Sequence, residues 1–386
     1  MASYTVGRIT GIPIKLHVTL LVFLPLLVFF ISRPDTIAAY ADLIAAISQH
    51  EVAPEAVQEG NTPWLIGVAG AVALFVGVLL HELGHSWTAR YFDIGIASIT
   101  LWIFGGMARM EDLPEEWRIE FWVALAGPVT SVLIAAVCYA ALLLVPTELT
   151  LVVFLLGFLA VLNLVLAVFN MLPAFPMDGG RIFRALLARS RPYSEATRTA
   201  ASVGQGFAVA MAILGLLWWA PMLLLVAMFV YVAAGSESRT TVIRDLLRDV
   251  TVADLLDEEL RTAHPEEGLG DLLDRMFAER RTGYPVVEGG TLVGLVTLAN
   301  ARGRNRDPDA VTVGDVMLRE PPTVGPEANA FEVLRLLSTG RGDRVVVVDD
   351  GAVLGVVGEA ELITALEVMQ GLGDVRRPEL TPEGYA

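Results

Sequence analysis

Long apolar stretches alternate with short charged segments along the first two thirds of this chain of 386 residues. Most of these stretches are long enough to cross the roughly 30 Å hydrocarbon core of a bilayer as a helix. We predict six spans, at 16–31, 64–92, 121–145, 149–169, 196–219 and 222–234. Residues 206–234 could instead form one tilted helix, but Pro221 and the adjacent tryptophans favour an interfacial turn.

Basic residues divide the connecting segments into two classes. They concentrate before span one, between spans two and three, after span four and after the last span, whereas 33–62, 146–149 and 219–222 contain only Arg33. The positive-inside rule then places both termini in the cytoplasm and requires an even number of spans. The first apolar run has no small-residue cleavage site, so it reads as a retained span of a multi-pass cell-membrane protein.

From Val250 onward the pattern becomes that of a soluble α/β protein, and it repeats after about 60 residues. Residues 251–256 parallel 312–317, and the strand pair 283–287 and 294–297 parallels 344–348 and 355–358. A helical segment precedes each strand pair, at 269–279 and 330–337. The predicted fold is therefore a polytopic α-helical membrane domain, residues 1–240, followed by a tandem of similar α/β units in 241–386, at about 247–305 and 308–372.

Composition agrees with this division. Hydrophobic residues make up 54% of the chain and the mean hydropathy is +0.59, values that suit a polytopic membrane protein. Residues 1–248 carry 17 acidic and 14 basic side chains, whereas 249–386 carry 26 and 13, so the tail is not expected to bind nucleic acid. The single cysteine, Cys138, can form no intramolecular disulfide and reads as a small buried hydrophobe.

One polar motif lies inside the second span. His81 and His85 are four residues apart and so share a helix face, where two imidazoles can hold one Zn²⁺. Glu82 between them can take the proton of a zinc-activated water. Polar groups at this depth are costly unless they face a cavity and act there, which favours a metal site over a chance motif.

A catalytic zinc needs a third protein ligand. Among the other histidines, His50 falls in an outside loop, His264 in the tail and His17 at the start of span one. Asp178 follows a span whose helix Pro173 and Pro176 would break, so its carboxylate is the predicted ligand. The alternative for Asp178 is a helix N-cap.

Asn170, at the end of span four, is a second candidate catalytic residue. Its amide could donate a hydrogen bond to a scissile carbonyl or to the oxyanion. It could equally cap its helix or hold two helices together.

These motifs resemble the site-2 protease family of intramembrane zinc metalloproteases. The resemblance rests on His81-Glu-Leu-Gly-His85, Gly127-Pro128, the segment 170–181 and the opening 7–13. It implies zinc ligands at His81, His85 and Asp178, a general base at Glu82 and an active-site position for Asn170. It also implies that Gly105-Gly106 belongs to a re-entrant strand segment that lines the substrate path.

The repeats of the tail resemble cystathionine-β-synthase (CBS) domains. The family pattern Gly-x-x-Thr/Ser-x-x-Asp, whose Asp holds an adenosine ribose, is altered in both copies. The first reads Gly294-Leu-Val-Thr297-Leu-Ala-Asn300 and the second Gly355-Val-Val-Gly358-Glu-Ala-Glu361. An adenine nucleotide is therefore one expectation for the tail, and an interaction role or a homodimer through the CBS domains is the other.

The predicted function is an intramembrane zinc endopeptidase with one Zn²⁺ per chain. Its substrate would be a single-span membrane protein in the bilayer, such as an anti-sigma factor, whose spanning helix unwinds locally to expose carbonyls. A CBS-regulated transporter would share the spans and the tail, but it needs no His-Glu-x-x-His motif with a distant Asp. A catalytically inactive homologue would have lost one of the four site residues, all of which are present.

Overall fold

Two units make up the part of the chain that the structure describes. The computed structural model describes residues 3–48, 57–103, 105–110, 116–257, 259–302, 310–338 and 342–375. Residues 1–238 form the first unit and residues 239–386 the second. Each unit has hydrophobic clusters of its own.

The first predicted span, 16–31, forms α1 (Val18–Ile31), and the segment after it forms a second helix, α2 (Pro34–Ser48). The two helices meet at a bend of 68°. α1 alone is about 21 Å long, which is short of the hydrocarbon core. The prediction of a loop over 33–62 was wrong for α2. Three of its apolar residues recur at helical spacing and are fully buried. They are Ile37, Ala41 and Ile44.

The other apolar stretches each form a long helix. Within the described residues, five helices are long and apolar enough to cross a membrane, and six spans result if the bent pair counts as one. The five are α3 (Thr62–Tyr91), α4 (Trp117–Leu144), α5 (Thr150–Asn170), α7 (Tyr193–Leu217) and α8 (Pro221–Leu246), with the short α6 (Asp178–Ala188) between α5 and α7. The turn predicted near Pro221 is confirmed, because α7 ends before it and Trp219 has a φ of 50°.

A small sheet packs against α3. It contains β1 (Ser3–Ile9), β2 (Ile12–His17), β3 (Ile96–Trp102) and β4 (Gly105–Met110), in that order across the sheet. β2 and β3 are parallel, and the other neighbours are antiparallel. Gly105 and Gly106 begin β4, so the strand that the family resemblance implies at these residues is observed. Buried Ile14, Ile99 and Leu101 pack in one cluster with Leu83 of α3, which fixes β4 beside the histidine motif.

The second unit contains the two repeats. The first has α9 (Leu269–Glu279), β5 (Gly283–Glu288), β6 (Thr291–Thr297) and α10 (Leu298–Arg302). The second has α11 (Val313–Val316), β7 (Thr323–Val324), α12 (Ala330–Ser338), β8 (Arg344–Asp349), β9 (Ala352–Gly358) and α13 (Glu359–Val375). β5 pairs with β6 and β8 with β9, both antiparallel, so the predicted tandem of α/β units is confirmed.

Candidate metal centre and active site

Two buried histidines face one point from successive turns of α3. Their Nε2 atoms are 3.2 Å apart, and His81 and His85 are 4% and 5% exposed. The Nδ1 atom of His85 lies 2.7 Å from the carbonyl oxygen of Val123, and that of His81 lies 2.9 Å from Oγ of Ser131. A carbonyl oxygen only accepts, so His85 donates through Nδ1, and Nε2 is the nitrogen that is placed to bind a metal. α4 therefore orients both rings.

The carboxylate of Asp178 lies against both imidazoles. Its Oδ2 atom is 3.1 Å from Nε2 of His81 and 3.2 Å from Nε2 of His85. The N-cap of α6 is Met177, and no side chain caps the helix, so the capping alternative for Asp178 is not observed. Within the described residues, these three side chains form the one group of His, Cys, Asp or Glu that could share an ion.

The spacing of the three donor atoms suits a small divalent cation. Zinc–nitrogen bonds of about 2.05 Å give edges of about 3.3 Å between tetrahedral donors. The observed edges are 3.1, 3.2 and 3.2 Å. Atoms that carry lone pairs repel one another at this range unless a cation or a proton lies among them. Two imidazoles and one carboxylate also form a known donor set of catalytic zinc sites, which keep a fourth position open.

Gly127 lets α4 approach this centre closely. A Cβ atom at this position would lie 2.2 Å from Nε2 of His85 and 2.7 Å from Nε2 of His81. No side chain can occupy that space without moving the imidazoles. The sequence suggests no such contact, because Gly127 lies more than forty residues from His85.

We expect Gly127→Ala to lower zinc affinity by about tenfold or more, because the new methyl group displaces Nε2 of His85. Helix propensity alone would favour alanine by about 1 kcal/mol. The measurement is zinc content after dialysis against buffered free zinc. Gly206→Ala on α7 is the matched control, because a Cβ atom there meets nothing within 4 Å. Equal zinc retention in both variants would contradict the expectation.

Glu82 lies beside the histidines and is held by the sheet. The backbone N–H of Ala108 on β4 donates to Oε2 of Glu82 over 3.2 Å. A Cβ atom at Gly106 would lie 2.2 Å from Cγ of Glu82, so the strand packs directly on this side chain. β4 thus fixes a carboxylate next to the donor group while leaving it partly exposed to the cavity.

A cavity of about 390 Å³ opens onto these groups. Its wall includes Glu82, Asn170, Arg181 and the three donor residues, and most of the remainder is apolar. The side-chain amide of Asn170 donates to the carbonyl oxygen of Leu166 in its own helix, over 2.9 Å. One amide hydrogen therefore serves the helix, and the side chain still faces the cavity.

The remaining histidines lie elsewhere. Nδ1 of His17 accepts from the N–H of Thr19 and so caps α1. His264 belongs to the second unit, and His50 lies outside the described residues.

A buried ion-pair cluster anchors α6, and the sequence analysis did not predict it. Arg184 donates through Nε to Oε1 of Glu120 over 2.8 Å and through Nη1 to Oε1 of Glu237 over 2.7 Å. Its guanidinium lies 4.9 Å from each of the ring centroids of Phe175 and Tyr193. The sequence offered one indication of this cluster, because Glu120 is an acidic residue at the start of an apolar span. Removing one partner of such a pair costs about 3–5 kcal/mol, so the cluster fixes the helix that carries Asp178.

The side chains at the altered CBS positions, Asn300 and Glu361, make hydrogen bonds within the second unit. Glu361 accepts from Nη1 of Arg344 over 3.2 Å and from the N–H of Gly358 over 2.8 Å. Burial opposes ionisation of this carboxyl, but Arg344 and the hydrogen bonds outweigh it and hold its pKa below the usual value. Asn300 pairs with the hydroxyl of Thr297 over 3.3 Å.

Several known proteins share these features. The Peptidase family M50 model matches residues 69–151 and 145–213, and the CBS domain model matches 252–303 and 313–368. Zinc metalloprotease MJ0392 of Methanocaldococcus jannaschii is 32% identical over 95% of this chain and 97% of its own length. Rip3 of Mycobacterium tuberculosis is 30% identical over 94% and 92%. A solved site-2 protease from M. jannaschii is 34% identical over 61% of this chain and 95% of that one, with a TM-score of 0.42.

The apolar helices and the relatives together define a multi-pass membrane metalloprotease with a C-terminal α/β tail. The resemblance drawn from the sequence is thereby confirmed, and so is the expectation of an enzyme. The chain belongs to Peptidase family M50, the site-2 protease family, and carries tandem CBS domains.

Proposed function

We propose that this enzyme hydrolyses a peptide bond within a membrane-spanning segment of a substrate protein. In this proposal His81, His85 and Asp178 hold one zinc ion, Glu82 is the general base and Asn170 contacts the substrate. The observation that carries the proposal is the triangle of donor atoms with edges of 3.1–3.2 Å, with Glu82 beside it on a cavity wall.

The chemistry follows from these groups. Zinc, when bound, supplies a Lewis acid that makes water nucleophilic near neutral pH and polarises the scissile carbonyl. The Glu82 carboxylate accepts a proton from the attacking water as the oxygen adds to the carbonyl carbon. It then gives that proton to the amine nitrogen as the C–N bond breaks. The N–H of Ala108 keeps Glu82 oriented through both transfers.

The substrate backbone has to be extended at the cleavage point, because a helix hides its carbonyls. β4 supports such binding, since it is an edge strand of the described sheet and lines the cavity. An unwound segment can pair with the backbone groups on the outer edge of this strand that Glu82 does not engage. The second amide hydrogen of Asn170 is then available to the scissile carbonyl or to the oxyanion.

The orientation of the chain follows from its charges. We infer that both termini are cytoplasmic, because the basic segments alternate with nearly uncharged ones from span to span. The cavity wall includes Asp178 and Arg181, which belong to the basic segment that follows α5. Water would therefore reach Glu82 from the cytoplasmic side.

We assign proteolysis to residues 1–240 and an interaction or dimerisation role to the CBS pair in 241–386. The internal contacts of Glu361 and Asn300 engage the side chains at the positions where the family pattern has its ribose-binding Asp, which favours this role over nucleotide binding. Adenine nucleotide binding stays a prediction. The substrate is proposed to be a single-span membrane protein, with an anti-sigma factor as one example.

Two alternatives compete with this proposal. A CBS-regulated transporter is disfavoured because the chain belongs to a peptidase family. An inactive homologue would retain the fold but lack a working site, and the convergence of His81, His85, Asp178 and Glu82 on one cavity argues against it.

Metal removal tests the proposed function. We expect the purified full-length enzyme to contain about one zinc per chain and to cut a single-span test protein within its span. Ortho-phenanthroline should reduce cleavage to background, and added zinc should restore it, whereas the non-chelating meta isomer should have no effect. Mass spectrometry of the products locates the cut. Cleavage that survives metal removal, or that falls only outside the span, would refute the proposal.

A further inference from the structure

Arg181 places a positive charge on the wall of the catalytic cavity. It lies three residues after Asp178 on α6, so both side chains project from the same helix face, about 4.5 Å apart along the axis. Arg181 is exposed, and no hydrogen bond or ion pair to its guanidinium occurs among the described residues. The cavity therefore contains a cation whose donors are free.

Arg184, one turn further along α6, has a structural role and provides a comparison for Arg181. Arg184 is buried, paired with Glu120 and Glu237, and stacked between two aromatic rings. Arg181 has no such surroundings. One arginine of α6 thus fixes the helix, and the other faces the space that a substrate would fill.

Most of the remaining cavity wall is apolar. Its apolar part comes from α5, α8 and the sheet, and includes Trp102, Met107, Leu166, Leu225 and Phe229. Beside these apolar side chains, an arriving carboxylate gains more from the guanidinium than it would in open water. Arginine also binds carboxylates through two parallel hydrogen bonds.

We propose that Arg181 binds a carboxylate side chain of the substrate segment and so gives the enzyme a preference for Asp or Glu close to the scissile bond. This inference rests on the proposed function. An extended chain advances about 3.3 Å per residue, so the acidic residue would lie within about three positions of the cleaved bond. In this proposal the guanidinium of Arg181 selects the substrate by binding its carboxylate, and it takes no part in proton transfer.

A second reading of Arg181 makes a different prediction. Arg181 lies near enough to Glu120 to act on it electrostatically. In the ion-pair cluster, the two acidic side chains of Glu120 and Glu237 face the single positive charge of Arg184. If Arg181 served only to balance these acids, its loss would weaken cleavage of every substrate by the same factor. A preference that depends on the charge of the substrate separates the two readings.

The test uses the full-length enzyme in phosphatidylcholine vesicles and a set of single-span test proteins. Each test protein has a Leu/Ala span interrupted by a Gly-Gly pair, with one Glu, Gln or Lys placed at successive positions on either side. We expect the wild type to cleave the best Glu protein about tenfold faster than its Gln counterpart, which corresponds to about 1.4 kcal/mol. Arg181→Gln should abolish that ratio, Arg181→Lys should retain part of it, and Arg181→Glu should favour Lys.

Controls make each outcome informative. Arg198→Glu, an exposed position of α7 away from the cavity wall, should keep the wild-type ratio, and zinc content reports folding of every variant. Equal cleavage of Glu, Gln and Lys proteins by the wild type would overturn the role of Arg181 but not the proposed function. Cleavage of none would overturn both. A uniform loss in Arg181→Gln, or an Arg181 effect seen only with added phosphatidylglycerol, would assign Arg181 to charge balance or to lipid instead.

Discussion

Glu82→Gln should abolish peptide cleavage while the protein keeps its zinc. The amide has nearly the same size as the carboxylate and can still accept the hydrogen bond from Ala108. It cannot take a proton from water, so the loss should be about 10²- to 10⁴-fold, the usual contribution of a general base. Cleavage of a single-span test protein and zinc content per chain, measured on the same preparation, check both halves of the expectation.

The matched control for this variant is Glu195→Gln. Glu195 is an exposed residue in the first turn of α7 and lies away from the cavity wall. The control should cleave at the wild-type rate. If Glu82→Gln retained substantial cleavage, another group would have to serve as the base. If the Glu82→Gln variant also lost zinc, Glu82 would contribute to metal binding as well as to proton transfer.

Asp178→Asn should remove both zinc and activity. The substitution keeps the shape of the side chain but replaces a negative donor between two imidazole nitrogens with a neutral amide. Loss of a neighbour that only orients a ligand typically costs ten- to hundredfold in metal affinity, so loss of a charged donor should cost at least about a hundredfold. Zinc affinity measured by competition with a chelator of known strength checks this value.

Asp35→Asn is the control for a purely helical effect. Asp35 is also in the first turn of a helix, and its ion pair with Arg33 is exposed. Such a pair contributes little, so zinc content should not change. Equal zinc affinity in Asp178→Asn and the wild type would show that Asp178 is no ligand, whatever the two distances to the imidazoles.

The sequence was most informative where polar residues interrupt an apolar span. His81, Glu82 and His85 could be picked out because polar groups are rare in apolar spans, and helical spacing alone put both imidazoles on one face. Asp178 followed because few carboxylates were available to complete the donor set. The strand pairs of the tail followed from their repetition.

Contacts between distant segments could not be read in the same way. Ser131 lies 50 residues from His81, and Arg184 lies 64 residues from Glu120. The approach of Gly127 to the imidazoles likewise depends on how α3 and α4 pack. β2 escaped prediction because its parallel partner, β3, comes some eighty residues later, so no local pattern indicates the pairing. β1 pairs with β2 in a short hairpin over residues 3–17, which the sequence analysis missed.

The donor triangle also implies selectivity between metals by size. Ca²⁺ prefers bonds of about 2.4 Å to six or more oxygens, which would spread three tetrahedrally arranged donors to edges of roughly 3.9 Å. The hydrogen bond that His85 donates to the Val123 carbonyl of α4 and the close backbone of Gly127 resist such widening. Mg²⁺ is small enough, but it avoids nitrogen donors and keeps its hydration shell. In a cell rich in both, this pocket would exclude the abundant alkaline earths through rigidity and donor chemistry, without needing exceptional affinity.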